Sequence, residues 1–313
     1  MEKTSYKAES ITILKDLQAV REKYDLNWLA SQINNRGSII KLSKKLNINR
    51  ATLRRAIVES NMIFLFPKLS KSKVNSLSTL KTRRELILFT KSYDIYKLSV
   101  RKLYKLVKNY RKKLESNPNL LLTKSQHNLI IGDLLGDANI KQREKNCSFR
   151  VGHSRKQKKY LYWKYNILKE FIKNTLYWNI RNLNDRTIET LEFATFTHIV
   201  FNYYRKLFYK NGIKTVTREI LNLLNPRSLA VWLCDDGSYC KKYRYIILST
   251  NSFSLNEHEI MKKYFEEVWG LSPTIGFRDN KYYYLRFKVE DTKKLISIVR
   301  PFILKVMKYK IGE

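Results

Sequence analysis

The chain has 313 residues, and its 43% hydrophobic content can fill the cores of two domains, which excludes a protein disordered throughout. The 62 lysine and arginine residues against 27 acidic residues give a formal net charge of +35, so the expected partner is a polyanion. The basic residues are interleaved with 21 tyrosines and 14 phenylalanines, which favours a folded surface for nucleic acid over a membrane-binding tail.

Three cysteines, Cys147, Cys234 and Cys240, lack CxxC spacing and indicate neither a disulfide framework nor a zinc site. No apolar run reaches the roughly 18 residues that span a bilayer, and no signal-peptide core is visible. We therefore expect an intracellular protein in a reducing compartment, with no membrane partner. An organelle, mitochondrion or chloroplast, and the cytoplasm of a bacterium or phage host fit equally well.

Residues 1–118 are predicted to form a helical N-terminal region, which contains a single glycine, Gly37. Within it, about residues 38–60 resemble a helix-turn-helix, with Asn47 at the turn because asparagine tolerates the left-handed conformation. Its second helix is expected to start near Ala51. The side chains that it would present to DNA are those of Arg50, Thr52, Arg54 and Arg55. A plain basic helical hairpin is the alternative.

The pattern changes after Ser116–Asn119, where polar residues and Pro118 predict a domain boundary near residue 118. Two rounds of similar elements follow, in 119–225 and 226–313. The first predicts an opening helix, a strand over 147–154, a helix over 158–174, a strand over 190–198 and a helix over 199–212. The second predicts a helix ending at 237, a strand over 243–250, a helix over 254–270, a hairpin across 272–289 and a helix over 291–309.

Each round opens on a similar motif, IIGDLLGDA (130–138) and LAVWLCDDG (229–237). Both are apolar helices with an acid next to last and a small residue after it. Gly132 and Gly136 lie on one helical face, and because glycine costs about 1 kcal/mol against alanine in a helix, they indicate a very close neighbour. The second motif has Val231 and Trp232 where a glycine might be expected, which weakens the argument for close packing there. The two opening helices are the natural place for the halves to meet.

These two motifs and the matching order of elements, over about residues 125–313, resemble the single-chain, double-motif LAGLIDADG homing endonucleases. The resemblance implies an α+β fold. Two pseudo-symmetric αββαββα halves would form an antiparallel β saddle over DNA, preceded by an all-α N-terminal region. It also implies a site-specific double-strand DNA endonuclease that hydrolyses phosphodiesters, acting as a monomer on a long asymmetric target.

The acids that end the motifs, Asp137 and Asp236, are the expected metal ligands, together with the following residues Ala138 and Gly237. Two carboxylates that meet on a pseudo-dyad repel each other unless they share a hard divalent cation such as Mg²⁺ or Mn²⁺. By the resemblance, Asp235 faces elsewhere or supports Asp236. Asp133 is expected to be a peripheral or a helix-face acid. The alternative is that each acid merely marks the point where a helix leaves the core.

The resemblance also assigns a catalytic lysine near each acid, and the matching residues are Lys214 and Lys310. A contact with surface phosphates is the alternative for both. On the strand KYYYLRFKV, alternation predicts that Tyr283, Leu285 and Phe287 face the core. The opposite face and two other strands supply the remaining candidate DNA contacts, namely Tyr282, Tyr284, Arg286, Lys288, Ser148, Arg150 and Arg244.

Two other functions remain open from the sequence. One is an intron-encoded maturase that binds intron RNA on the same scaffold without cutting. The other is a DNA-binding regulator built on the helix-turn-helix. The pair of mutually repelling acids favours cleavage, since a protein that only binds has no use for them.

Overall fold

The computed structural model describes residues 36–49, 53, 69–183 and 186–313. The chain divides into two compact units, one within Met1–Lys112 and Lys173–Thr175 and the other formed by Lys113–Ile172 and Leu176–Glu313. Among the described residues, no helix combines the length and the apolar character needed to cross a bilayer.

The described part of the first unit is helical, as the sequence predicts. Its helices are α1 (Arg36–Leu46), α2 (Lys71–Leu77), α3 (Arg83–Ser92) and the first part of α4 (Val100–Ser116). Thr82 caps α3 by accepting a hydrogen bond from the Glu85 N–H. Side chains from the last three helices and from the segments between them form one apolar core, comprising Val74, Leu77, Leu80, Leu86, Phe89, Ile95, Leu103 and Val107.

The proposed helix-turn-helix is described only in its first half. Helix α1 ends at Leu46, and Asn47 takes the left-handed conformation with φ 52°. The Ser43 hydroxyl donates to the Ile48 carbonyl at 2.6 Å and so closes the turn. Apart from Leu53, the remainder of the segment lies outside the described residues, including the four predicted DNA contacts Arg50, Thr52, Arg54 and Arg55. The helix-turn-helix therefore stays a prediction.

The first half of the second unit begins with α5, which starts at a capping box formed by Thr123 and Gln126. Its elements are α5 (Lys124–Leu135), β1 (Asn139–Gln142), β2 (Cys147–Ser154), α6 (Lys158–Ile167), β3 (Tyr177–Leu183), β4 (Arg186–Ala194) and α7 (Val200–Phe208). The strands form an antiparallel sheet in the order β1-β2-β4-β3. A two-stranded ribbon of β5 (Tyr209–Lys210) and β6 (Ile213–Lys214) and a short α8 (Arg218–Leu221) follow.

The second half begins with α9, whose cap residue Asn225 accepts hydrogen bonds from the N–H groups of Arg227 and Ser228. Its elements are α9 (Pro226–Asp236), β7 (Gly237–Cys240), β8 (Tyr245–Leu248), α10 (Leu255–Tyr264), β9 (Thr274–Arg278), β10 (Tyr282–Phe287) and α11 (Val289–Val299). The sheet order, β7-β8-β10-β9, repeats that of the first half. The predicted α+β fold with two αββαββα halves is thus confirmed.

Several elements differ from those predicted along the chain. Strands β1, β3, β5, β6 and β7 and the short helix α8 were missed. In β1 only Ile140 is buried, so its alternation is too weak to detect. The single helix expected over 291–309 is wrong. Helix α11 ends at Val299 and gives way to 3₁₀ turns at Arg300–Phe302 and Lys305–Ile311, because Pro301 has no N–H to continue the helical hydrogen bonds.

The sheets follow the predicted alternation of faces. In β10, Leu285 and Phe287 are fully buried, and the Phe287 ring packs edge-on to Phe265, with centroids 5.1 Å apart. Arg286, between them, is exposed. The helices therefore cover one face of each sheet and leave the other for a ligand.

Candidate active site

The two motif helices, α5 and α9, cross at the glycines of the first motif. A β-carbon added to Gly132 would lie 2.4 Å from the Ser228 carbonyl oxygen and 2.7 Å from the Val231 Cβ. One added to Gly136 would lie 2.6 Å from the Asp235 Cβ. Val231, expected to weaken the close contact, therefore fits into the space that Gly132 leaves. Small residues on one side of the crossing are sufficient.

This crossing sets the two motif acids at equivalent junctions between a helix and a strand. Asp137 follows α5 and leads into β1, while Asp236 ends α9 and leads into β7. The Ala138 N–H donates to the Asp133 carbonyl at 2.8 Å, and the Asp236 carbonyl accepts from the Ser249 N–H at 2.9 Å. Both acids are thus fixed by backbone hydrogen bonds of their own half.

Asp137 has the more exposed and more acidic carboxyl group. Its side chain is 41% exposed, and its Oδ2 lies 3.3 Å from the Nδ1 of His153. The Asp137 backbone N–H donates to the Asp235 carboxylate of the other motif. Burial alone would raise the pKa of Asp137, but the hydrogen bond to His153 and the charges of Lys164 and Lys310 hold it below its ordinary value.

Asp236 differs in both its partner and its charge state. The Trp232 indole Nε1 donates to its Oδ2 at 3.3 Å. Burial, together with the negative charges of Asp235 and Asp137, raises the pKa of Asp236 to about 8. A cation bound beside this carboxyl group would favour its ionised form.

The two predicted lysines bracket the two acids in the same way. The Lys214 ammonium donates to the carbonyls on either side of Asp137, those of Gly136 at 2.9 Å and Ala138 at 3.1 Å. The Lys310 ammonium donates to the carbonyls of Asp235 at 3.2 Å and Gly237 at 2.8 Å, on either side of Asp236. Burial lowers the pKa of both lysines, although the nearby carboxylates oppose this shift. The sequence-predicted site residues therefore converge as two pseudo-symmetric sets.

Asp235 and Asp133 are buried together in a cluster that the sequence did not reveal. The Lys164 ammonium lies 2.5 Å from Asp133 Oδ1 and 2.7 Å from Asp235 Oδ1, and all three side chains are fully buried. The Tyr160 hydroxyl also donates to Asp235 at 3.0 Å. The expectation that Asp133 is peripheral is wrong, because its helix turns it into the crossing. Burial raises its pKa well above the ordinary value.

Asp235 faces away from Asp236, the first of the two expected arrangements, and contacts the acid of the other motif. It was assigned to face elsewhere or to support Asp236, its sequence neighbour. Its carboxylate instead accepts from the backbone of Asp137, in the other half. Together with Asp137 and His153 it forms a group of potential metal-ligand atoms that lie within 4.8 Å of one another.

His153 and Lys164 are the site residues that sequence reasoning missed. Lys164 lies on the buried face of α6 with Tyr160 and Leu161, where a lysine is out of place. That irregularity was the available signal, since a buried lysine requires an acid. His153 follows the inward-facing residues Phe149 and Val151 by the period of two, so its burial was also readable.

An open cleft of about 330 Å³ adjoins the second acid. Its lining includes Asp236, Lys310, Ser238, Tyr239 and Tyr309. The mixture of a carboxyl group, an ammonium and hydroxyl groups suits a phosphate with a cation beside it.

A family model described as the LAGLIDADG DNA endonuclease family matches residues 127–295, which include both acids. The chain belongs to the LAGLIDADG DNA endonuclease family. It is therefore a site-specific DNA endonuclease, and its partner is DNA, as the two motifs predicted.

Individual relatives agree with this membership. A probable intron-encoded endonuclease 1 of Wickerhamomyces canadensis is 32% identical over 216 residues, covering 66% of this chain and 90% of that protein. The cytochrome b mRNA maturase bI2 of Debaryomyces hansenii is 28% identical over 208 residues, covering 63% and 77%. A similar solved structure is that of the homing endonuclease I-WcaI bound to its DNA recognition sequence, with TM-score 0.57 and 26% identity over 70% of this chain and 96% of that one.

The candidate DNA contacts of the first LAGLIDADG half are less free than expected. Ser148 is only 6% exposed and presents almost no surface to a ligand in this conformation. Arg150 is paired with the Glu192 carboxylate, which also accepts from the Asn179 amide at 2.7 Å. A base contact by Arg150 would therefore involve Glu192 as well.

The candidates of the second half lie on β10, directly after it, or in the turn between β7 and β8. Arg286 is exposed, with its guanidinium 5.8 Å from the Tyr245 ring centroid, and Lys288 is exposed too. Tyr284 lies across Gly276, where an added β-carbon would be 2.2 Å from the ring. Tyr282 is half-buried, and Arg244 occupies the turn between β7 and β8 with φ 53°. The three basic candidates are thus exposed, whereas both tyrosines are half-buried.

Proposed function

We propose that the protein hydrolyses both strands of a long, asymmetric DNA duplex as a monomer, using Mg²⁺ or Mn²⁺ held by Asp137 and Asp236. The observation that carries the proposal is the pair of pseudo-symmetric sets, each with one motif acid between two carbonyls bound by a half-buried lysine. Both sets belong to one chain, so a second copy is not needed to complete the site.

The residues fit a divalent cation. Carboxylate oxygens from Asp137 and Asp236 are hard donors of the kind that Mg²⁺ prefers, and the carbonyls of Ala138 and Gly237 lie beside them. The pKa of Asp236 is raised to about 8 by burial and by the nearby carboxylates of Asp235 and Asp137, so added positive charge would favour its ionised form. A bound ion would supply an activated water and would stabilise the leaving oxygen of the phosphodiester.

The lysines contribute positive charge without becoming ligands. Lys214 and Lys310 are fixed by the backbone carbonyls that flank the acids. Their ammonium groups therefore stay beside the acids, where a DNA phosphate would bind. Their burial makes this charge effective because water screens it poorly. We assign both as catalytic residues that balance charge on the phosphate.

Antiparallel DNA strands are related by a local twofold axis, so a pseudo-twofold protein can address one strand with each acid. The exposed faces of the two sheets carry different residues, such as Arg150 paired with Glu192 in one half and Arg286 in the other. Non-identical faces read non-identical half-sites, so the target need not be a palindrome. The +35 charge favours an extended contact with phosphates.

A maturase function is the second candidate, because two relatives carry that name. A protein that only binds intron RNA has no need for two mutually repelling acids with two half-buried lysines beside them, so this arrangement favours cleavage. A regulator built on the helix-turn-helix has less support, since the predicted DNA contacts of its second helix lie outside the described residues. An intracellular, reducing compartment is consistent with three free cysteines.

The test is incubation of the purified protein with a randomised duplex library in Mg²⁺ or EDTA, followed by sequencing of the ends. We expect Mg²⁺-dependent ends at one long asymmetric sequence. Asp137→Asn and Asp236→Asn should abolish them while DNA binding persists. The matched control is Glu259→Gln, which removes one exposed negative charge from α10 and should leave the ends unchanged. Equal cleavage by the double variant would refute the metal site.

A further inference from the structure

His153 connects the first motif acid to the buried cluster below it. Its ring is 1% exposed, with Nδ1 at 3.3 Å from Asp137 Oδ2 and Nε2 at 3.8 Å from Asp235 Oδ1. The ring also packs on Tyr160, with centroids 5.0 Å apart. The imidazole is therefore held between two carboxylates that belong to different halves.

Asp235 is itself immobilised from below. The ammonium of Lys164 and the hydroxyl of Tyr160 both contact its Oδ1. Because these groups are fully buried, the cluster cannot exchange its partners for water. A chain of contacts thus runs from α6 through Asp235 and His153 to Asp137.

The second half lacks this chain of contacts at the equivalent positions. Two residues after each acid, Asn139 pairs with Arg150 in the first sheet and Ser238 pairs with Ile247 in the second. His153 therefore corresponds to Thr250, which lies the same interval beyond Ile247. The hydroxyl of Thr250 lies 2.7 Å from the His258 ring and makes no hydrogen bond to Asp236 among the described residues.

The charges of the cluster are also replaced by apolar side chains. Met261 is the residue that corresponds to Lys164, because each lies at the same interval after its helix cap, Ser254 and Gln157 respectively. Trp232 corresponds to Asp133, because each lies at the same interval before its motif acid, Asp236 and Asp137 respectively. Trp232, through its indole, is the residue that contacts Asp236. Each acid is therefore oriented by a different donor, an imidazole in one half and an indole in the other.

We propose that His153 is a positioning residue for Asp137, fixed by the Asp235–Lys164 pair, and that it governs cleavage of one DNA strand only. The inference rests on the proposed function, in which each acid serves one strand. Residues that orient a metal ligand through a hydrogen bond commonly change activity by about 10–100-fold when lost. His153→Leu is accordingly expected to slow one strand by about 10–100-fold and to leave the other nearly unchanged.

The kinetic test uses a duplex with the two strands labelled differently, so that each cleavage rate is measured in the same reaction. His153→Asn, which keeps a donor near the Nδ1 position, should restore much of the lost rate. Trp232→Phe should slow the opposite strand, because it removes the donor to Asp236. Thr250→Val is the matched control, and both strands should be cut at the wild-type ratio.

A second measurement needs neither metal nor cleavage. The chain has four histidines, so the ring signals of ¹⁵N-histidine-labelled protein can be assigned from single substitutions. In the metal-free protein, the His153 signal should shift in Asp137→Asn and in Lys164→Met and stay unchanged in Glu259→Gln. A shift in the first two alone supports the chain of contacts, even if His153→Leu fails to fold.

The outcomes separate the inference from the function on which it rests. If wild-type protein cuts no duplex with a divalent ion, the proposed function fails. If wild type cuts and His153→Leu slows both strands equally or neither, the positioning role is overturned. An unshifted His153 signal in Asp137→Asn overturns it as well.

Discussion

Gly132 and Ser228 touch across the crossing of the two motif helices, because glycine has no β-carbon to separate them. An alanine β-carbon at this position would lie 2.4 Å from the Ser228 carbonyl oxygen. Since this oxygen belongs to the backbone, no side-chain rotation relieves the clash.

Gly132→Ala should therefore destabilise the protein by about 1–3 kcal/mol, the usual cost of overpacking a core. The higher helix propensity of alanine would by itself stabilise the protein by about 1 kcal/mol. The sign of the change in unfolding free energy therefore shows whether the clash or the helix propensity is larger. Denaturant unfolding measures it, with the exposed Asn166→Ala on α6 as the control. Combining Gly132→Ala with Val231→Ala should not restore stability, and full restoration would argue against the backbone contact.

Lys214→Met and Lys310→Met should each slow cleavage of one strand, and of opposite strands, by about a hundredfold or more, as loss of a charged group at a reacting centre typically does. Nicked duplex should then accumulate. The measurement is strand-specific cleavage of a doubly labelled target. Lys214→Arg, which keeps the positive charge, should reduce the cleavage rate less than Lys214→Met does. Both methionine variants slowing the same strand would contradict the pseudo-symmetric assignment.

Metal affinity should rise with pH up to about 8. Asp236 has its pKa raised to about 8 by burial and by Asp235 and Asp137, while Lys214 opposes the shift. Below that pH the carboxyl group holds a proton that a divalent ion must displace, so the affinity gains up to about tenfold per pH unit and then levels off. The Mg²⁺ concentration for half-maximal cleavage, measured from pH 6 to 9, checks this. A constant value across that range would exclude a role for the Asp236 proton.

Acid should weaken the fold through His258. Burial lowers its pKa, against the opposing effects of the Ser254 carbonyl and Glu257, and its ring contacts the Thr250 hydroxyl and Tyr283. A histidine with a lowered folded pKa contributes stability above its unfolded pKa, about 6.5, that is lost as pH falls through the folded value. The loss is about 1.4 kcal/mol for each tenfold difference in proton affinity between the folded and unfolded ring.

Chemical unfolding at pH 7 and pH 5 checks this expectation. The free energy of unfolding should fall between the two, and the fall should be smaller in His258→Gln. An equal fall in both proteins would assign the acid sensitivity to other groups, such as His127, whose pKa burial also lowers.

DNA binding should weaken steeply with salt. The logarithm of the binding constant should fall linearly with the logarithm of the salt concentration, with a slope of about one for each phosphate contacted. Arg286→Ala and Lys288→Ala should each reduce this slope by about one if they contact phosphate. If either contacts a base, the loss should instead depend on the target sequence. Lys293→Ala, on the exposed face of α11, serves as the control. An unchanged slope for the first two variants would remove them from the interface.

Elements with strong periodicity were readable from sequence, and weak ones were not. Strands β2 and β10 alternate apolar and polar residues, and their faces were predicted from that alternation. Strand β1, with one buried side chain, gave no such signal. The prediction of a helix over 291–309 failed because the apolar pattern continues past Pro301, whereas proline cannot continue the helical hydrogen bonds.

The sequence by itself determined the two motifs, their terminal acids and the repeated order of elements, since these depend on local patterns and on spacing. Only the tertiary structure decided which acids face the open site and which are buried. Asp235 and Asp236 are adjacent, yet a helix directs them about 100° apart, so only one joins Lys164. Contacts such as Lys164–Asp235, His153–Asp137 and Lys310–Gly237 join residues distant in the chain, and the crossing of α5 over α9 sets their geometry.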